Sequence, residues 1–167
     1  AGEAIQFIGE AGGSAFQFSP DGKYLSFLRN VDEKEQIFWL GMSGGEAVKL
    51  TDHKGGIVSY EWSADASKIF FTANEALSNE EQKEHDKGAD AYYVREGPNG
   101  REAGSWRNLW AIGLPAGEEA RLTDEELIIG DFDVSPDAGR VVFSAMRQDL
   151  ENYFYRSELY LLDTLKP

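Results

Sequence analysis

A sequence segment that occurs three times constrains the fold of this chain more than any other feature. Each copy opens with a strand-like run and a turn that begins at Ser19, Ser63 or Ser135, and each serine precedes a phenylalanine by eight residues. The first two copies end in Leu-Thr-Asp, and in both the threonine lies twelve residues before the serine of the next copy. Several spacings that repeat together predict structural units that stack on their neighbours.

Each copy contains short runs of β-branched and aromatic residues, separated by clusters of Gly, Pro, Asp and Ser. In the first copy the runs lie near residues 15–18, 23–29, 36–42 and 46–51. Such runs predict strands, and such clusters predict tight turns rather than a catalytic motif. Units of about 40 residues with four strands are typical of propeller blades. The sequence therefore predicts an all-β fold, a partial β-propeller of about three four-stranded antiparallel blades.

The spacings also predict where each blade begins and ends. We expect blades at residues 14–52, 55–124 and 128–167, all within a single propeller fragment. The third blade lacks its last strand, and the twelve-residue spacing makes residues 1–10 the last strand of a preceding blade, centred on 4–8. Because propellers typically close with about four to eight blades, we expect a fragment of a larger propeller or a chain that oligomerises to complete one.

The second copy differs from the others by an insertion, residues 74–107, between its second and third strands. Ser78 and Glu81 have the spacing of a capping box, so we expect a short helix near 79–87 that ends at Gly88. Strand direction alternates within a blade, which places the long connections together on one loop-rich, acidic face. Functional residues concentrate on such loops, so we expect this face to contact a partner.

The composition excludes several classes of function. The formal net charge is −14 and the isoelectric point is near 4.5, whereas nucleic acids and anionic membranes both select clustered Lys and Arg. No apolar run has the length that a membrane-spanning helix needs. The absence of cysteine excludes disulfides, thiolate metal sites and a cysteine nucleophile, and it leaves both cytoplasm and periplasm open as compartments.

The repeat resembles the propeller repeats of prolyl oligopeptidase family serine peptidases. The resemblance rests on Ser-Pro-Asp-Gly-Lys at 19–23, Ile-Phe-Trp-Leu at 37–40, Gly-Gly-Glu at 44–46 and Leu-Thr-Asp at 50–52. It covers residues 4–163, and the charged insertion is similar to the segment that interrupts a blade in acylaminoacyl-peptidase-like members. The same repeat type occurs in Tol-system and tricorn-type propellers. Ala66 and Ala138 depart from the pattern, because the first copy has Gly22 at this position.

The resemblance implies a noncatalytic propeller that covers a separate, downstream α/β-hydrolase domain and limits its substrates to oligopeptides. The chain has no Gly-x-Ser-x-Gly nucleophile motif, so we expect no catalytic residue within it. The expected partners are the hydrolase domain and a peptide substrate, with no nucleic acid, membrane or cofactor. One alternative is a protein-binding module like the Tol-system propellers. A second alternative is a propeller enzyme with its site in the central channel, although the sequence offers no metal or acid–base constellation for it.

Few side chains in the sequence are candidates for a binding site. In dipeptidyl-peptidase relatives a pair of glutamates on a propeller insertion holds the amino terminus of the substrate, and Glu80 and Glu81 are similar in residue type. A charged helix start explains the same pair. We expect His53 at the surface or between blades, and His85 lacks the fixed ligand set of a zinc site. The sequence therefore predicts no metal site.

The spare strand at 4–8 and the strand missing after 159–162 are complementary. Residues 4–8 of one copy could pair beside 159–162 of another copy by strand addition. Two copies of about three blades each would then form a strand-exchanged homodimer that completes a six-bladed propeller.

Overall fold

The computed structural model of the protein describes residues 12–76, 83, 106–115, 117–147 and 157–165. Within these ranges the chain forms strands β1 (Ser14–Phe18), β2 (Tyr24–Val31), β3 (Lys34–Gly41), β4 (Val48–Lys49), β5 (Ile57–Trp62), β6 (Lys68–Asn74), β7 (Arg107–Gly113), β8 (Glu119–Arg121), β9 (Ile128–Val134), β10 (Arg140–Met146) and β11 (Glu158–Asp163). Their many β-branched and aromatic side chains pack well on a pleated, half-buried surface. No helix within the described ranges has the length and apolar character needed to cross a membrane.

The first blade is an antiparallel meander in the order β1-β2-β3-β4. Its outer strand β4 is two residues long, and thus shorter than the strand predicted at 46–51. The ladder of backbone hydrogen bonds between β3 and β4 ends early, because the Ile37 amide donates to the side-chain hydroxyl of Thr51 instead of to a backbone carbonyl. Leu50 still donates its amide proton to the Ile37 carbonyl at 2.8 Å, so the segment stays close to β3.

The second blade comprises β5 to β8 and the third comprises β9 to β11, and neighbouring strands within each blade pair antiparallel. One parallel pair, Arg107 opposite Ile128, joins these two blades, and the Arg107 amide donates a 2.7 Å hydrogen bond to the Leu127 carbonyl. The prediction of an all-β partial propeller is confirmed. The strand predicted at 4–8 and, apart from residue 83, the helix predicted near 79–87 lie outside the described residues.

The hydrophobic core lies mainly between blades. One cluster joins the first blade to the second and consists of Leu28, Ile37, Ile57, Tyr60, Ile69, Phe71, Ala73 and Ile112. Another joins the second blade to the third and consists of Phe70, Leu109, Ala111, Leu127, Ile129, Phe132, Val141, Phe143 and Ala145. The second blade therefore buries apolar side chains on both of its faces, as a stacked repeat unit requires. We call these two contact regions the first seam and the second seam.

A tight turn joins the first two strands of every blade. In each turn the serine carbonyl accepts a hydrogen bond from the amide three residues later, and the serine hydroxyl donates to the aspartate two residues later. The residue that donates this amide has a positive φ in all three turns: 70° at Gly22, 58° at Ala66 and 55° at Ala138. The left-handed conformation suits glycine and strains alanine. The departures from the repeat at Ala66 and Ala138 therefore cost conformational energy.

Candidate functional site

The threonine of Leu-Thr-Asp holds the start of the third strand in its own blade. In the first blade the Thr51 hydroxyl accepts a 2.9 Å hydrogen bond from the Ile37 amide and donates one of 2.9 Å to Gln36 Oε1. Gln36 Oε1 also accepts from the His53 amide at 2.9 Å, and Gln36 Nε2 donates to the His53 carbonyl at 2.8 Å. These buried groups clamp the loop that follows β4 against β3.

The second blade repeats this clamp with an asparagine in place of the glutamine. Thr123 Oγ1 accepts from the Leu109 amide at 3.0 Å and donates to Asn108 Oδ1 at 2.7 Å. Asn108 is fully buried and donates through Nδ2 to Glu75 Oε1 at 2.8 Å. Because both threonine hydroxyls are engaged with the protein itself, the repeated Leu-Thr-Asp has a structural role and supplies no nucleophile.

His53 lies in the first seam, and only 9% of its surface is exposed. Its Nδ1 atom is 2.8 Å from Glu119 Oε2, and its ring packs edge-on against Phe71 and Trp110 at centroid distances of 5.7 and 4.7 Å. The other oxygen of Glu119 accepts a 3.1 Å hydrogen bond from the Asp52 amide. The sequence predicted His53 either at the surface or between blades, and the structure places it between the first and second blades.

The first strands of the three blades, β1, β5 and β9, are linked to one another by side chains. We call them the inner wall, because propeller blades are arranged around a central channel and we assign their first strands to its side. Gln17, Glu61 and Asp133 share one repeat position on this wall, two residues before the turn serine. The Gln17 amide group donates to the Tyr60 carbonyl at 2.9 Å, and the Glu61 carboxylate accepts a hydrogen bond from the Val134 backbone. In both cases the side chain connects the inner strand of one blade to the inner strand of the next.

The wall is acidic where the second and third blades meet. Burial raises the pKa of Glu61, and the charges of Asp133 and Asp131 raise it further. These three carboxylates, which we call the inner acidic wall, create a potential that attracts cations and repels anions. Among the residues that the structure describes, no three His, Asp or Glu side chains are arranged to hold a metal ion.

The substrate anchor predicted at Glu80 and Glu81 lies outside the described residues, as does His85. The anchor therefore stays a prediction. The clamp and the His53 contact with Glu119 were not predicted. The clamp could have been predicted from the sequence. In both copies that end in Leu-Thr-Asp, a residue with a carboxamide side chain, Gln36 or Asn108, directly precedes the apolar run of the third strand.

Blades that stack through apolar seams around a shared inner wall define this chain as part of a β-propeller. No protein-family model matches its sequence. Among curated proteins, the uncharacterized peptidase YuxL of Bacillus subtilis (strain 168) is 29% identical to it over 156 residues. The match covers 87% of this chain and 24% of the relative, so the chain spans about a quarter of that protein's length.

Solved structures share the fold at lower sequence identity. A TolB protein from Agrobacterium tumefaciens superposes with a TM-score of 0.62 at 17% identity, over 92% of this chain and 47% of that chain. An acylaminoacyl peptidase from Pyrococcus horikoshii superposes with a TM-score of 0.56 at 19% identity, over 90% of this chain and 24% of that chain. The predicted resemblance to peptidase and Tol-system propellers is confirmed.

Proposed function

We propose that this chain is a noncatalytic propeller segment of a prolyl oligopeptidase family serine peptidase, and that it gates the access of oligopeptides to a separate α/β-hydrolase domain. The observation that carries the proposal is the 29% identity to a peptidase over 156 residues, which make up only 24% of that peptidase. Most of the relative's sequence lies outside the matched segment and is available for a catalytic domain.

The chemistry of the chain supports a noncatalytic role. A serine peptidase needs a nucleophile with a base in hydrogen-bond reach. The His53 ring is bound to Glu119 through Nδ1 and packed against Phe71 and Trp110. Since the sequence also lacks a Gly-x-Ser-x-Gly motif, the hydrolytic step has to come from another domain.

The inner acidic wall supports a gating role. Glu61, Asp131 and Asp133 favour the approach of peptides that carry a free amino terminus, Lys or Arg, and disfavour acidic peptides. Glu80 and Glu81 on the insertion would hold the amino terminus of such a peptide. Selection by charge and size would thus precede the chemical step.

The test is a hydrolysis assay on the full-length peptidase that contains this chain, with the isolated chain measured alongside. We expect the full-length protein to cleave short chromogenic peptides but not long unfolded proteins, and the isolated chain to cleave neither. Replacing Glu80 and Glu81 by Gln should raise KM for peptides with a free amino terminus and leave KM for acetylated peptides unchanged. Hydrolysis by the isolated chain, or a full-length sequence without Gly-x-Ser-x-Gly, would contradict the proposal.

A protein-binding module like the Tol-system propellers is the second candidate function. The superposition on a TolB protein with a TM-score of 0.62 favours it at the level of the fold. The two candidates differ in the rest of the protein, because a binding module needs further blades but no hydrolase domain. A full-length protein that captures a protein partner and cleaves no peptide would support this second candidate.

We also propose that isolated copies of the chain associate into a homodimer. In the strand-exchanged form, residues 4–8 of one copy pair beside β11 of another, which is the edge strand of its sheet among the described residues. Two copies would complete a six-bladed ring of about three blades each. Light scattering tests this association, and a well-folded chain that is strictly monomeric would refute it.

A further inference from the structure

A β-bulge interrupts the first strand of each blade that the structure describes. In β1, Ser14 lies opposite Leu28 and Gln17 lies opposite Ser26, so β1 has one residue more than β2 over this interval. The pairing register shifts by one residue in β5 and β9 as well. Because a bulge bends the strand and re-aims its side chains, whatever stabilises the bulge also determines which side chains the inner wall presents.

The bulge in β1 strains the backbone. Ala15 lies within the bulge and has a φ of 51°, in the left-handed region that disfavours residues with a Cβ. A regular antiparallel pairing that continued from Gln17 and Ser26 would place Ala15 in an extended conformation directly opposite Leu28. Since that alternative carries no such strain, contacts outside β1 have to stabilise the bulged form.

The second blade provides such a contact through Tyr60, whose side chain is buried in the first seam. Its hydroxyl donates a 2.6 Å hydrogen bond to the carbonyl of Ala15. The same hydroxyl lies 2.9 Å from Ser26 Oγ, to which the Trp62 indole donates at 2.8 Å. A hydrogen-bonded network that crosses the first seam therefore ends on the strained residue of the bulge.

The second and third blades bind the equivalent residue through a hydroxyl of their own. Ser59 occupies the repeat position of Ala15, and its hydroxyl lies 2.7 Å from Thr72 Oγ1 on β6. Asp131 occupies the same position in the third blade, and its amide donates a 3.2 Å hydrogen bond to Ser144 Oγ on β10. Thr72 and Ser144 in turn share one repeat position on the second strand of their blades.

The first blade lacks this hydroxyl, because Leu28 occupies the position of Thr72 and Ser144. Tyr60 of the next blade supplies a hydroxyl instead. Phe132 occupies the Tyr60 position in the third blade, and it follows a blade that has Thr72. A blade without its own hydroxyl is thus followed by tyrosine, and a blade with one is followed by phenylalanine.

We propose that Tyr60 is a positioning residue that couples the conformation of β1 to the docking of the second blade. In the docked arrangement its hydroxyl holds Ala15 in the left-handed conformation, and β1 is bulged. Without this hydrogen bond β1 adopts the regular pairing, with Ala15 opposite Leu28. A shift of one residue moves side chains to the other face of a sheet, so Ser14 and Ala15 exchange faces on the inner wall.

Nuclear Overhauser contacts between β1 and β2 in the whole 167-residue chain distinguish the two pairings. The wild type should show the Leu28 backbone close to that of Ser14. Tyr60→Phe removes the hydroxyl and keeps the ring, and we expect the contact of Leu28 to move from Ser14 to Ala15. Tyr24→Phe is the matched control, because it removes a tyrosine hydroxyl outside this network, and it should leave the pairing unchanged.

Two further substitutions, each combined with Tyr60→Phe, isolate the hydroxyl. Leu28→Thr places a hydroxyl on β2 where the other two blades have theirs, and it should return the contact of residue 28 to Ser14. Leu28→Val has nearly the same shape without the hydroxyl and should leave that contact at Ala15. Because both substitutions remove a similar apolar volume from the first seam, a difference between them reports the hydroxyl and not a packing defect.

Ala15→Val tests the coupling from the other side of the seam and remains decisive if Tyr60→Phe does not fold. A β-branched residue is an outlier at positive φ, so this change at an exposed site should give the regular pairing while Tyr60 is intact. A Leu28 contact that stays with Ser14 in either variant would overturn the proposal, as would equal results for Leu28→Thr and Leu28→Val. None of these measurements involves peptide hydrolysis, so failure of this coupling and failure of the proposed function are distinguishable.

Discussion

Oε2 of Glu119 lies 2.8 Å from Nδ1 of His53, and the other carboxylate oxygen lies 3.1 Å from the Asp52 amide. One side chain on β8 of the second blade thus binds two neighbouring groups on a loop of the first blade. The rest of the first seam is mainly apolar, and apolar contacts constrain direction weakly. A satisfied polar network of this kind fixes the position of one blade on the other.

We expect Glu119→Ala to lower the free energy of unfolding by about 1–3 kcal/mol, because it leaves the buried His53 ring without its hydrogen-bond partner. Glu119→Gln retains one acceptor oxygen and should cost less. Urea denaturation followed by tryptophan fluorescence measures both effects. The neighbouring exposed Glu118→Ala serves as control and should stay within about 0.5 kcal/mol of the wild type. Equal losses for Glu118→Ala and Glu119→Ala would contradict the role given to Glu119.

The turn alanines offer a stabilising change. Ala66 and Ala138 adopt φ values of 58° and 55°, so Ala66→Gly and Ala138→Gly should each raise stability by about 0.5–1 kcal/mol. The reverse change, Gly22→Ala, should lower stability by a similar amount. An added Cβ at Gly22 meets nothing within 4 Å, so its effect would be conformational and not steric. Denaturation midpoints of the three variants measure this, and a lower midpoint for Ala138→Gly would contradict it.

The fold was predictable from the sequence because its information is local and repeated. Each strand has its own run of β-branched and aromatic residues, and each turn has its own serine and aspartate. The pairing of His53 with Glu119 was not predictable, since these residues are 66 positions apart and meet only when one blade packs on another. No spacing in the sequence indicates how the two blades pack, so the polar contacts of the first seam could be identified only from the structure.

Two substitutions of the clamp residue Thr51 test the role of its hydroxyl, because one removes the hydroxyl and the other keeps it. Thr51→Val removes the acceptor of the Ile37 amide and the donor to Gln36 Oε1, all of them buried. We expect it to cost about 1–3 kcal/mol of stability, whereas Thr51→Ser retains the hydroxyl and should cost less. Hydrogen exchange at the Ile37 amide, together with urea denaturation, reports the effect. Equal protection of this amide in the two variants would show that the hydroxyl is dispensable.

Tyr60 links the stability of the first seam to alkaline pH. Burial raises the pKa of its phenol from 10.0 to about 12, and the hydrogen bond with Ser26 opposes part of this rise. Between these values the unfolded chain has lost the phenolic proton and the folded chain retains it, so stability present below pH 10 is lost as the pH approaches 12. We expect the wild type to lose on the order of 2 kcal/mol more than Tyr60→Phe over this interval. Urea titrations across the alkaline range measure the difference, with a constant offset between the two proteins below about pH 9 as the internal control. Parallel curves up to pH 12 would contradict the prediction.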